Sequence, residues 1–85
     1  MYYKIYMKSD CSFCIRAIRL LEEKGINYLR YPLDSKPQLL TEVKDKYNWG
    51  TVPVIIEING DKEKLIGGFT DLNEYLKTGK TLLKG

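Results

Sequence analysis

Two cysteines, Cys11 and Cys14, are the only ones in the chain, and the residues around them restrict the fold more than any other stretch. Before them, Tyr2 to Met7 alternates Tyr2, Lys4 and Tyr6 against Tyr3, Ile5 and Met7, the period of a strand. After them, Ser12 to Lys24 predicts a helix: Cys14, Ile18 and Leu21 recur at i, i+4 and i+7, and Gly25 is a natural stop. A strand, a short loop (Lys8-Ser9-Asp10) and a Cys-x-x-Cys opening a helix form a redox arrangement.

The reason is thiolate chemistry. Only the thiolate attacks a disulfide, and a free cysteine with a pKa of about 8.5 is mostly protonated at neutral pH. The unpaired N–H groups and macrodipole of a helix N-terminus favour negative charge. Cys11, at or just before the first helical residue, receives that stabilisation, and Cys14 follows nearly one turn later on the same face. The spacing suits a reversible disulfide with Cys11 as exposed attacker and Cys14 as buried resolver.

Two plainer roles compete. A structural zinc site takes four Cys or His ligands, and two cysteines with no histidine exclude a self-contained one. A structural disulfide over so short a loop would restrict the unfolded chain little.

Eighty-five residues, 44% hydrophobic and 29% charged, predict one small soluble domain over residues 1–85. The N-terminal run has no secretory h-region, and no apolar stretch approaches a membrane span. The cytoplasm is therefore the expected location, where a cysteine pair is cycled. The net charge of +3, with the basic residues scattered, gives no footprint for nucleic acid; it modestly favours anionic partners, acidic peptides included.

Further along, Ile26 to Leu33 predicts a second strand, with Ile26, Tyr28 and Leu29 as apolar cover. Asp34-Ser35-Lys36-Pro37 opens a second helix carrying Leu39, Leu40, Val43 and Tyr47 inward, and Asn48-Trp49-Gly50 breaks it. Thr51 to Ile58 is the most β-prone run, with Pro53 at its entrance suited to a turn or a cis bond. Asn59-Gly60 turns the chain into a returning strand at Lys64-Leu65-Ile66. Gly67-Gly68 leads to a last helix in which Asp71-x-x-Glu74 has capping-box character and Leu72, Tyr75 and Leu76 face inward. Residues 78–85 read as a polar tail. The order βαβαββα predicts an α/β fold: a four-stranded mixed sheet with helices on both faces.

Lys8-x-x-Cys11-Ser12-Phe13-Cys14, Thr51-Val52-Pro53 and Ile66-Gly67-Gly68-Phe69-Thr70-Asp71-Leu72 together resemble a glutaredoxin, of thioredoxin-like fold, over nearly the whole length. The resemblance implies a glutathione-dependent thiol–disulfide oxidoreductase in which three segments meet at a groove for glutathione. Cys11 is then the nucleophile and Cys14 the second thiol. Pro53 corresponds to a cis-proline, and Val52 pairs by its backbone with the cysteinyl part of the tripeptide, next to Thr51. Gly68, Phe69, Thr70 and Asp71 would hold the γ-glutamyl end, its carboxylate on the Phe69 and Thr70 N–H groups and its amine on Asp71. Lys8 would face the glycyl carboxylate, and Phe13 would form a groove wall. Implied partners are glutathione and disulfide-containing or glutathionylated proteins, such as ribonucleotide reductase, served by a monomer.

The chain departs from the family pattern at several points. Ser12 and Phe13 stand where Pro-Tyr is usual. Leu40 occupies the place of a basic or amide side chain that often completes glycyl-carboxylate binding, for which Gln38 or Lys44 would have to substitute. The hairpin around Asp61-Lys62-Glu63 is expected to be a few residues longer. Two other functions are compatible with the resemblance: a carrier of a [2Fe–2S] cluster held on Cys11 of two subunits with two glutathiones, since Ser12 in place of proline resembles cluster-binding members, and a redoxin fed by thioredoxin reductase.

Overall fold

The computed structural model describes residues 1–79. Seven elements follow in chain order: β1 (Tyr2–Met7), α1 (Ser12–Glu23), β2 (Tyr28–Pro32), α2 (Pro37–Tyr47), β3 (Val54–Asn59), β4 (Lys62–Gly67) and α3 (Phe69–Thr78). The strands form one sheet in the order β2-β1-β3-β4. β1 and β2 run parallel, joined through α1, and β1/β3 and β3/β4 are antiparallel. The βαβαββα order and the four-stranded mixed sheet are as expected.

The period of two in the strands divides the apolar side chains between two layers. Tyr3, Ile5 and Met7 of β1, with Ile55 and Ile66, meet Cys14, Ala17, Ile18 and Leu21 of α1 and Leu72 of α3. Val54, Ile56 and Ile58 face the other way, against Leu33 and the Leu40 and Val43 side of α2. Each large aliphatic side chain so buried contributes about 1.5–3 kcal/mol. Tyr3 carries the one hydroxyl deep in the first layer and donates it to Glu57 Oε2 at 2.8 Å. Burial, and then the Glu57 carboxylate, push that phenol well above its ordinary range.

Several boundaries differ from expectation. β2 begins at Tyr28 because the Ile26 N–H is already bonded to Leu21 O at 2.9 Å, closing the end of α1. Leu29 is no apolar cover: it is 50% exposed on the sheet's outer strand. Leu39, read as inward, is likewise exposed. Thr51 to Pro53 lie outside β3, which starts at Val54; proline has no N–H for a ladder, and the Val52–Pro53 bond is cis. The hairpin turn is two residues, Asn59 pairing directly with Lys62 across Gly60-Asp61, so that Lys62 and Glu63 belong to β4. Gly60, at φ +64, takes the first turn position. α3 opens at Phe69 rather than near Asp71, so Asp71 is its third residue and Gly68 its N-cap. Of the tail expected over 78–85, Thr78 ends α3 and Gly79 caps it; residues 80–85 lie outside the described residues.

Candidate active site

Cys11 is the N-cap of α1. Its backbone is extended (φ −96°, ψ 112°), and its Sγ accepts the Cys14 N–H at 3.2 Å. A sulfur thus occupies the place a Ser or Asp oxygen takes in ordinary N-caps. No acidic side chain stands in the first turn of α1 to oppose charge there. The Cys11 thiol also lies 3.8 Å from the Val52 carbonyl oxygen, to which its S–H donates. Cys11 is partly exposed, whereas Cys14 is fully buried, and both are free thiols. Burial foremost, then the hydrogen bond and charge of Cys11, push the Cys14 thiol up to about 12. The two sulfurs are therefore chemically unequal: one is offered at a helix end, the other held protonated behind it.

The loop before Cys11 is tied to the rest of the fold. Ser9 donates its N–H to Asp34 Oδ1 at 2.9 Å and its hydroxyl to Oδ2 at 3.0 Å. These bonds hold the Asp34 carboxyl below its ordinary range, with a smaller contribution from Lys8. The Cys11 N–H donates to Lys8 O at 3.3 Å, so the loop backbone presents the cysteine while the Lys8 side chain stays exposed.

Beside the thiols runs a groove of about 350 Å³ lined by Phe13, Trp49, Thr51, Val52, Pro53, Gly68, Phe69, Thr70 and Asp71. Three distant segments, the start of α1, the Val52–Pro53 turn and the start of α3, supply its walls. The Phe13 and Phe69 rings face each other with centroids 6.4 Å apart, and the Arg16 guanidinium sits 5.4 Å from the Phe13 ring centre. The Asp71 Oδ2 accepts the Gly68 N–H at 2.9 Å. That bond closes the N-terminus of α3 and leaves the first-turn N–H groups beyond it as an anion-binding end.

Of the residues expected in the site, Phe13, Thr51, Val52, Pro53, Gly68, Phe69, Thr70 and Asp71 come together in this groove, with Cys11 against Val52. Lys8 is not among its lining residues. Leu40 is 7% exposed and belongs to the core beneath α2, and neither Gln38 nor Lys44 lines the groove.

Trp49 was not anticipated, being read only as part of a helix break. An atom placed as Cβ on Gly67 would lie 3.0 Å from its Cη2, so the indole packs directly under the Gly67-Gly68 bend. Its Nε1 is out of reach of solvent and has no hydrogen-bond partner among the described residues. The available signal was its position: the sole tryptophan, two residues before Thr51-Val52-Pro53.

A [2Fe–2S] cluster bound by thiolates takes four ligands. One chain offers a single accessible thiol, and among the described residues no group of three or more His, Cys, Asp or Glu could hold a metal ion. One chain alone therefore does not supply the four ligands, and a cluster would need Cys11 of a second subunit and two glutathiones.

The Glutaredoxin family model matches residues 4–62. A glutaredoxin of Pseudomonas aeruginosa is 37% identical over 76 residues, which cover 89% of this chain and 86% of that protein. Glutaredoxin 3 of Escherichia coli K12 is 35% identical over 69 residues, 81% of this chain and 78% of that one. Among solved structures, a buckwheat glutaredoxin–glutathione complex superimposes with TM-score 0.78 at 26% identity, over 92% of this chain and 70% of that chain. The glutaredoxin-like NrdH-redoxin of E. coli, described as having a thioredoxin-like activity profile, gives TM-score 0.63 at 26% identity, over 87% and 93%. With this match, these relatives and a thioredoxin-like sheet that joins Cys11, Val52 and Asp71 along one groove, the chain belongs to the glutaredoxin family.

Proposed function

We propose that this oxidoreductase is glutathione-dependent and reduces protein disulfides and protein–glutathione mixed disulfides through Cys11. The carrying observation is the inequality of the two sulfurs: Cys11 caps a helix beside an open groove, and Cys14 is buried behind it. The Cys11 thiolate attacks the glutathione sulfur of a mixed disulfide, forming a Cys11–glutathione bond and releasing the protein thiolate. A second glutathione thiolate attacks the glutathione sulfur of that adduct, giving glutathione disulfide and returning Cys11 as thiolate. With a protein disulfide, Cys14 loses its proton and attacks the mixed bond at Cys11. The substrate leaves as a dithiol, and two glutathiones later reopen the Cys11–Cys14 bond. In the adduct, Val52 would pair with the cysteinyl backbone, and the N-terminus of α3 with Asp71 would hold the γ-glutamyl end, while Phe13 and Phe69 flank the chain. A cytoplasmic monomer suits this cycle, because a reducing compartment returns such a pair to the thiol form.

One observation favours a second source of electrons. Lys8 is not among the groove-lining residues and Leu40 is core, so no basic side chain lines the groove itself, although the Arg16 guanidinium stands against the Phe13 ring. This leaves thioredoxin reductase as the alternative donor. Turnover measured separately with glutathione plus glutathione reductase and with thioredoxin reductase decides between them. With glutathione, Cys11→Ser abolishes activity, whereas Cys14→Ser keeps mixed-disulfide reduction. Equal loss in the two variants contradicts the division of roles, and turnover only with thioredoxin reductase contradicts the donor.

A further inference from the structure

A second depression, of about 360 Å³, lies on the other side of α1, between that helix and β2. Its helix wall is Ile15, Ile18, Arg19 and Glu22, positions i, i+3, i+4 and i+7 that share one face. Met7 and Pro32 form the strand side, with Arg30 on the β2 edge and Ser9 at the end nearest the cysteines. Ile15, 41% exposed, is an apolar side chain left to solvent one residue after Cys14. Among the described residues the only ion pair is Lys46 with Glu63, so neither Arg19 nor Arg30 has a carboxylate partner. Glu22, at the end away from the cysteines, is engaged with Tyr28, whose hydroxyl it helps to raise after burial.

We propose that this groove docks an acidic chain segment adjoining the target disulfide of a protein substrate. The inference rests on Cys11 being the thiol that attacks such disulfides. Two guanidinium groups on facing walls over an apolar floor match carboxylates carried by an extended chain. β2 is an outer strand of the sheet, so its free edge adds main-chain hydrogen-bonding groups on the strand that carries Arg30. Ser9, at one end of the groove, stands two residues before Cys11, so that end is the one nearer the attacking cysteine. A second copy of this chain is a poorer occupant, since a net charge of +3 brings arginines and lysines to face arginines.

The test uses the full chain with three glutathione mixed disulfides: a peptide with glutamates beside its cysteine, the same peptide with glutamines, and cysteine itself. Two exposed charge pairs predict that the glutamate peptide is preferred by roughly fivefold in kcat/KM. The preference fades with added salt and vanishes in Arg19→Gln/Arg30→Gln, which reduces the cysteine–glutathione disulfide as the wild type does. An unreactive glutamate peptide with serine for cysteine should shift the amide resonances of Ile15, Ile18, Arg19 and Arg30. Equal rates for the two peptides, or a preference that survives the double substitution, overturn the docking site, as do peptide-induced shifts confined to other residues. If the wild type fails on all three disulfides, the catalytic role of Cys11 falls, while the resonance shifts still decide the groove.

Discussion

Replacing Gly67 by alanine tests how closely the groove is built. Gly67 has φ +117°, where an L side chain is costly, at about 1–2 kcal/mol. The added Cβ would stand 2.6 Å from Asp71 Oδ2 and 3.0 Å from Trp49 Cη2. The carboxylate that must move is the one capping the Gly68 N–H at 2.9 Å, and losing such a cap costs about 1 kcal/mol. Gly67→Ala is therefore expected to lose about 2–4 kcal/mol, a fall in Tm of roughly 10–25 °C for a domain of this size. Gly60→Ala is the matched control: its φ is +64°, with nothing within 4 Å of the new Cβ, so only the backbone cost of about 1–2 kcal/mol applies. Thermal and urea melts followed by circular dichroism measure both. Asp71→Ala, by removing the colliding carboxylate, should make the Gly67→Ala/Asp71→Ala pair less destabilised than the sum of its parts. If Gly67→Ala loses no more than Gly60→Ala, or the double substitution is simply additive, the packing of Gly67 against Asp71 is wrong.

Other consequences follow from the thiols and from Trp49. Iodoacetamide at neutral pH should modify Cys11 and spare Cys14 in the folded protein, which peptide mapping checks. Unfolded chains release the Cys14 proton near the ordinary thiol range, but the fold holds it to about 12. The unfolded state therefore binds fewer protons between those values, so stability falls as pH rises through that window; melts of Cys14→Ala should show a shallower alkaline decline. Trp49 is the sole tryptophan and lines the groove, so its fluorescence should change and saturate when Cys14→Ser takes up one glutathione from glutathione disulfide, and a flat titration contradicts the placement.

Much of the fold was legible in the sequence because its strands and helices bury residues at regular intervals. Tyr3, Ile5 and Met7 point inward as their period predicts, and Cys14, Ile18 and Leu21 mark the buried face of α1. What escaped was set by partners distant along the chain. Thr51 to Pro53 has the composition of a strand, yet it stands outside β3 as the turn that brings the Val52 carbonyl to Cys11. Asp71 looked like the start of a helix, because only the three-dimensional bend shows that Gly68 opens α3 and that Asp71 reaches back to cap it. Leu39, read as inward along with Leu40 and Val43, is exposed because α2 turns only its Leu40 and Val43 side onto Val54, Ile56 and Ile58. Trp49 passed as a helix breaker, since nothing local shows that it packs beneath Gly67 and Gly68.

The central claim is that Cys11 alone meets the substrate and Cys14 acts second. Reduced protein mixed with glutathione disulfide, quenched in acid at successive times and mapped by mass spectrometry, addresses it directly. The first species should carry glutathione on Cys11, followed by the Cys11–Cys14 bond. Glutathione appearing first on Cys14, or shared evenly between the two, would contradict it.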